Sequence, residues 1–144
     1  MIELLSPAGS MEALRAAVQN GANAVYLGYD QFNARMNAKN FSADELQEAI
    51  VYCHVRGVKV HLTLNTLVLD REMQRAADLI RMAAAFGVDA FIVQDLGVVS
   101  LCKEIAPDVP VHASTQMSIH SLEGVLEAAA LGCSRAVLSR ELPA

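Results

Sequence analysis

Phe86-Gly87-Val88-Asp89-Ala90-Phe91-Ile92-Val93 has two near-copies in the chain, Asn20-Gly21-Ala22-Asn23-Ala24-Val25-Tyr26-Leu27 and Leu131-Gly132-Cys133-Ser134-Arg135-Ala136-Val137-Leu138. All of them read the same way. A run with helical spacing ends, a glycine stops it, one turn follows, and a short run of strand-forming residues begins. A phrase that turns helix into strand again and again implies alternating elements, and hence parallel βαβ units.

Working outward from those phrases, the pattern predicts strands at 2–5, 25–27, 58–64, 90–93, 111–113 and 136–138. Helices fall between them. Ser10 caps one that carries Met11, Leu14, Ala17 and Val18 on one face, and Gly21 ends it. Ser42 and Glu45 fit a capping box for a second, with Leu46, Ala49, Ile50 and Cys53 at helical spacing up to Arg56. Asp70 is the expected cap of a third running to Phe86; residues 96–105 form a fourth, and Ser121 caps a fifth reaching 131.

About six strands and five helices fit two architectures. A doubly wound sheet usually carries a glycine-rich phosphate turn after its first strand, but Ser6-Pro7-Ala8-Gly9-Ser10 has a single glycine. A (β/α)8 barrel takes roughly 250 residues. The fold expected for 144 residues is therefore α/β, an incomplete (β/α)8 TIM-barrel-like domain whose first and sixth strands are open edges. Residues 1–144 form one domain.

Composition narrows the class. Hydrophobic residues make up 53% and charged ones 19%, which is globular, and the absence of Trp leaves an aliphatic core. No apolar run approaches the ~18 residues of a membrane span, and Met1 leads directly into a strand-like segment. Cys53, Cys102 and Cys133 never form a C-x-x-C pair, which fits reduced thiols in a cytoplasmic protein and gives no zinc or iron–sulfur set. A net charge of −5 lacks the footprint of a nucleic-acid binder.

Two features point to a site. The stretch from Tyr26 to Phe41 has neither helical period nor alternation, so it is a long strand-to-helix loop. Phe32 and Phe41 can pin it, while Arg35, Asn33, Asn37 and Asn40 suit a polar or anionic ligand. Strand faces supply the second feature: Lys59, His61, Thr63 and Asn65 alternate with Val60, Leu62 and Leu64, and His112, Ser114 and Gln116 alternate with Val111 and Ala113. A polar alternate face implies a wet interior. At the C-terminal strand ends, where barrel enzymes keep their sites, stand Ser6, Gly28, Asn65, Asp95, Ser114, Thr115, Gln116, Arg140 and Glu141.

Simpler roles compete for each residue. His61 and His112 could ligate a metal with Asp95, but no metal-binding spacing is present, so hydrogen-bonded core histidines are expected. Ser114 lacks a G-x-S-x-G elbow and an evident His–Asp pair. Arg140-Glu141 reads equally as an ion pair, and Arg71, Gln74 and Arg75 as a solvated helix face.

Leu4-Leu5-Ser6-Pro7-Ala8-Gly9-Ser10-Met11-Glu12, the run from Gly21 to Gly28, and Phe32 to Phe41 resemble the collagenase-like peptidase family U32. So do Leu64-Asn65-Thr66, Gly87 to Asp95, His112 to Ser118 and Val137 to Leu142. The likeness runs the length of the chain, in order, and implies the N-terminal part of that family's TIM-barrel-like domain. The family takes its name from collagen-degrading peptidases of no established catalytic type. Other members are tRNA or ribosomal-RNA hydroxylation factors, or serve oxygen-independent ubiquinone hydroxylation.

In those members cysteines that follow the matched region hold an iron–sulfur cluster. The resemblance thus places cluster ligands beyond residue 144 and no cofactor within this chain; Cys53, Cys102 and Cys133 do not occupy the motif positions. It carries over Arg35, Asn37, Asn40, Asn65, Asp95, Ser114, Gln116, Arg140 and Glu141 as a mouth-lining set. Three functions follow: part of an RNA-hydroxylation enzyme holding a base or small anionic donor, a peptidase, or a non-catalytic assembly fragment. The expected partners are RNA or a small anionic ligand through the full-length protein, and another copy through the open sheet edges. No membrane partner is expected. The 144-residue chain alone is expected to be inactive.

Overall fold

The computed structural model describes residues 2–34 and 40–142. Its strands are β1 (Leu5–Pro7), β2 (Ala24–Gly28), β3 (Lys59–Leu64), β4 (Ala90–Val93), β5 (Val111–Ala113) and β6 (Arg135–Ala136). Helices α1 (Met11–Gln19), α2 (Ala43–Val55), α3 (Met73–Phe86), α4 (Leu96–Ile105) and α5 (Leu122–Ala130) alternate with them. Every strand pairs in parallel with the next, in the order β1-β2-β3-β4-β5-β6. The result is a half-barrel with helices on its outer face. No helix among the described residues is long and apolar enough to cross a membrane.

The repeated phrase works through its backbone. Gly21 and Gly87 both take φ 93°, a left-handed conformation that side chains resist. The next residue then bonds back to close a Schellman turn: Ala22 N–H to Ala17 O (3.1 Å), Val88 N–H to Ala83 O (3.1 Å) and Cys133 N–H to Ala128 O (3.0 Å). One residue on, the chain joins the sheet, with Asn23 N–H to Leu4 O, Asp89 N–H to Val60 O and Ser134 N–H to Val111 O, at 2.8–2.9 Å. Side chains at that position add a fastener. Asn23 Oδ1 accepts from Leu4 N–H at 2.8 Å, and Asp89 Oδ2 accepts from Val60 N–H at 2.7 Å while meeting His54 Nε2 at 2.7 Å.

Helix starts follow their caps. Ser10, Ser42 and Ser121 hydroxyls accept from Ala13, Glu45 and Gly124 N–H, and Glu45 completes the Ser42 capping box. Asp70 does not cap the third helix. It opens a 3-10 turn (Asp70–Glu72), and Glu72 reaches back to Leu69 N–H at 2.9 Å. The first strand begins three residues later than its pattern predicts and the last ends at Ala136 rather than Leu138. At the start, Leu4 N–H is taken by the Asn23 side chain.

Side-chain alternation sorts the two sheet faces. Val25, Leu27, Val60, Leu62, Leu64, Phe91, Val93 and Val111 join Leu14, Leu46, Ile50, Ile80, Val99 and Cys102 in one buried cluster between sheet and helices. Burying such side chains supplies about 1.5–3 kcal/mol each and holds the layers together. The opposite face of the strands turns inward. It carries Tyr26, His61, Thr63, Ile92, His112 and Ser114.

Candidate functional site

At the C-terminal strand ends the inward face opens into a cavity of about 330 Å³, with Tyr26, Thr63, Asn65, Ser114, Thr115 and Gln116 in its polar lining. Leu5, Ala34, Ile92 and Val137 supply the apolar walls. None of these residues is charged. A smaller hollow of about 70 Å³ shares Tyr26, Thr63 and Asn65 and adds Gly28, Asn33 and Asn40.

Residues 29–34 and 40–41 form the described stems of the long loop, and they are tied to the sheet. Phe41 N–H bonds Gly28 O at 3.0 Å, and Tyr29 bridges Phe41. Asn65 Oδ1 accepts from Ala34 N–H at 3.0 Å, leaving its Nδ2 for the cavity. Asn33 Nδ2 donates to Asn40 Oδ1 at 2.6 Å, and Thr63 Oγ1 donates to Leu27 O at 3.0 Å. The Asn33 carboxamide lies directly on Gly28, where a Cβ would overlap it. Phe32, at φ 57°, holds the left-handed turn that aims Asn33 inward.

The cavity's far side comes from the turn after β5. Residues Thr115–Met117 make a 3-10 turn rather than continuing the strand, and Ser114 caps it by accepting from Gln116 N–H at 3.2 Å. Gln94 Nε2 steadies the same turn through Gln116 O at 3.3 Å. The Gln116 side chain is exposed to the mouth and makes no hydrogen bond among the described residues.

The sequence-based site set divides accordingly. Asn65, Ser114 and Gln116 come together on the cavity, and Asn40 stands beside it. Asp95 serves the scaffold: Oδ1 caps α4 through Gly97 and Val98 N–H, and Oδ2 accepts from Val68 N–H at 3.1 Å. Arg140 and Glu141 are exposed beyond β6, off the cavity lining. Arg35 and Asn37 lie outside the described residues. Tyr26 and Thr63 join the lining from outside that set, Thr63 from the polar face of β3.

Beneath the cavity, His61 and His112 project from β3 and β5 with ring centroids 5.0 Å apart and planes at 86°. They are 2% and 6% exposed. The expected hydrogen bonds are missing: neither ring bonds a described residue, and His61 Nδ1 is sealed from solvent without a partner. Burial lowers both pKa values, that of His112 to about 4, with His61 and Arg135 adding to the effect and Glu3 opposing it. Both imidazoles are neutral near pH 7.

Nucleophile and cluster chemistry find little here. Burial pushes the Cys53 thiol up to about 11 and Cys102 to about 12, and raises Cys133, whereas nucleophiles and iron–sulfur ligands are thiolates. Cys53 lies on α2, Cys102 on α4 and Cys133 in the turn between α5 and β6, all buried. They do not fit a cluster, and among the described residues no three His, Cys, Asp or Glu side chains converge on a metal position.

The comparisons agree with this geometry. A solved U32 peptidase structure superposes with a TM-score of 0.75, covering 96% of this chain and 58% of that one; at 15% identity it shows a shared TIM-barrel-like fold. The 23S rRNA 5-hydroxycytidine C2501 synthase of Escherichia coli K12 is 41% identical over 141 residues, 98% of this chain and 21% of its own length. The tRNA hydroxylation protein P1 of Bacillus subtilis 168 is 35% identical over 142 residues, 99% of this chain and 34% of its own. The chain thus spans about a third or less of the length of these two RNA-hydroxylation relatives. The model of peptidase family U32 matches residues 9–144, and the chain belongs to that family.

Proposed function

We propose that this chain is the base-holding part of an RNA-hydroxylation enzyme, with the target nucleobase inserted in the half-barrel mouth. The carrying observation is the cavity itself: about 330 Å³, lined by neutral hydrogen-bonding side chains between apolar walls. A flat, uncharged ring with polar edges is the ligand such a lining suits. Asn65 Nδ2 and the Gln116 carboxamide are placed to read those edges, and Tyr26 and Ile92 to flank the ring. Two relatives named for RNA hydroxylation support the reading.

Hydroxylation also needs a redox centre, which the buried thiols of residues 1–144 do not offer. The family resemblance puts cluster cysteines outside this region, in a full-length cytoplasmic protein. RNA affinity belongs there as well, because −5 is the wrong charge for holding phosphates.

Peptidase chemistry is the other reading, and the family name is its support. It requires an activated nucleophile. Ser114 Oγ is 2% exposed as a residue and occupied by Gln116 N–H, and the thiols are protonated.

RNA from a strain lacking the gene decides between them. Mass spectrometry should find one hydroxylated nucleoside lost, restored by the wild-type gene and not by Asn65→Ala or Gln116→Ala. An unchanged nucleoside profile, with collagen or casein cleaved by the full-length protein, overturns the hydroxylation reading.

A further inference from the structure

The inward face of the half-barrel is layered. Asn65 and Gln116 stand at the mouth, Thr63 and Ser114 below them, and His61 and His112 one layer deeper. Register puts His61 beside Tyr26 and His112 beside Ile92, and both neighbours line the cavity. The imidazoles therefore lie next to its lining, one residue row beneath Thr63 and Ser114.

A core position has no use for these two rings as they stand. A neutral imidazole carries one N–H donor and one acceptor nitrogen, and a buried group left unpaired is destabilising. Edge-to-face packing lets at most one N–H rest on the partner's ring. Among these nitrogens only His61 Nδ1 is closed to solvent without a partner; the other three make no bond among the described residues but are not sealed in the same way. Phenylalanine would pack the same space without that penalty. A ligand that supplies the missing partner accounts for such a violation.

We propose that His61 and His112 form a recessed subsite under the cavity, hydrogen-bonding a polar group of the inserted ring. The inference rests on the reading of the cavity as a nucleobase site and adds two binding residues to it. Charges act on the pair from below and beside it: Glu3, Lys59 and Arg135 on both, and Asp89 on His61. Held neutral, each imidazole can give one hydrogen bond and accept one, so the subsite can meet either a ring carbonyl or a ring amine.

Titration of ¹⁵N-labelled protein with uridine and with cytidine tests this. The expected result is a shift of the His61 and His112 ring-nitrogen resonances along with the Asn65 and Gln116 amides. His61→Phe and His112→Phe should each bind the nucleoside roughly ten-fold more weakly while melting at or above the wild-type temperature. Nucleoside binding that moves Asn65 and Gln116 but leaves the imidazoles untouched overturns the subsite and leaves the cavity reading intact. Absence of any binding overturns both. If a variant fails to fold, the wild-type imidazole shifts alone decide.

Discussion

Glu3 and Arg135, 132 positions apart in the chain, meet at 3.1 Å between Oε1 and Nη1. Arg135 opens β6 and Glu3 lies just ahead of β1, so the ion pair links the two ends of the sheet at its N-terminal rim. The Arg135 guanidinium holds the Glu3 carboxyl below its usual range, against the opposing effect of burial. With side-chain exposures of 28% and 46%, solvent screens the pair strongly. Glu3→Gln should lower stability by about 0.5–1 kcal/mol in low salt. The loss should shrink in 1 M salt, a comparison that urea midpoints can make directly.

Acid should act through the histidine pair. An unfolded imidazole binds a proton near pH 6.5, whereas His112 in the fold does so only at about 4. Its folded pKa is depressed, so the unfolded state takes up the proton first. Stability is complete above about pH 6.5 and falls as pH drops toward 4, by about 3 kcal/mol over that window. Glu3 adds its own loss at lower pH. His112→Phe should flatten the stability curve between pH 6.5 and 4; an unchanged slope would mean that His112 is not held neutral.

Gly28 is needed because Asn33 occupies its missing side chain. Gly28→Ala forces the Asn33 carboxamide off the strand and breaks its bond to Asn40. A destabilisation of about 1–3 kcal/mol is expected, together with altered amide signals for Asn33, Asn40 and Phe41. Wild-type spectra at those residues would refute the packing.

The fastener at the repeated phrase should be unequal in its copies. Asp89 accepts from Val60 N–H and meets His54, so Asp89→Ala should cost about 1.5–3 kcal/mol. Asn23 has a single such bond, and Asn23→Ala should cost about 1 kcal/mol. Thermal melts of both variants test the order as well as the sizes.

Residues 1–144 alone should not cleave collagen or casein, because Ser114 is committed to its turn and the thiols are buried. A digest showing turnover that Ser114→Ala abolishes would count directly against this.

Elements whose signals are local were legible in the sequence. The Ser42–Glu45 capping box, residues 90–93 and residues 96–105 fall where cap and period place them. Asp70 misled because an Asp ahead of a helix reads as a cap, while the working partner was Glu72 reaching backward. The same ambiguity hides in Asp95, whose carboxylate is divided between α4 and the loop after β3. Alternation on β3 and β5 found Asn65 and Ser114. It could not find Tyr26, an aromatic in an apolar strand, or the hold of Asn33 on Gly28, which depends on two backbones lying in contact. Asn23 and Asp89 did leave a trace: the same place in the repeated phrase holds Asn23, Asp89 and Ser134, each a short side chain with an acceptor oxygen.

Strand order matching chain order has a consequence for how the molecule is made. Each βα unit finds its sheet neighbour in the unit synthesised just before it, so few pairings must wait for distant chain. Folding can then keep pace with the ribosome, each unit settling on the last. The Glu3–Arg135 link joins only after the sixth strand has emerged.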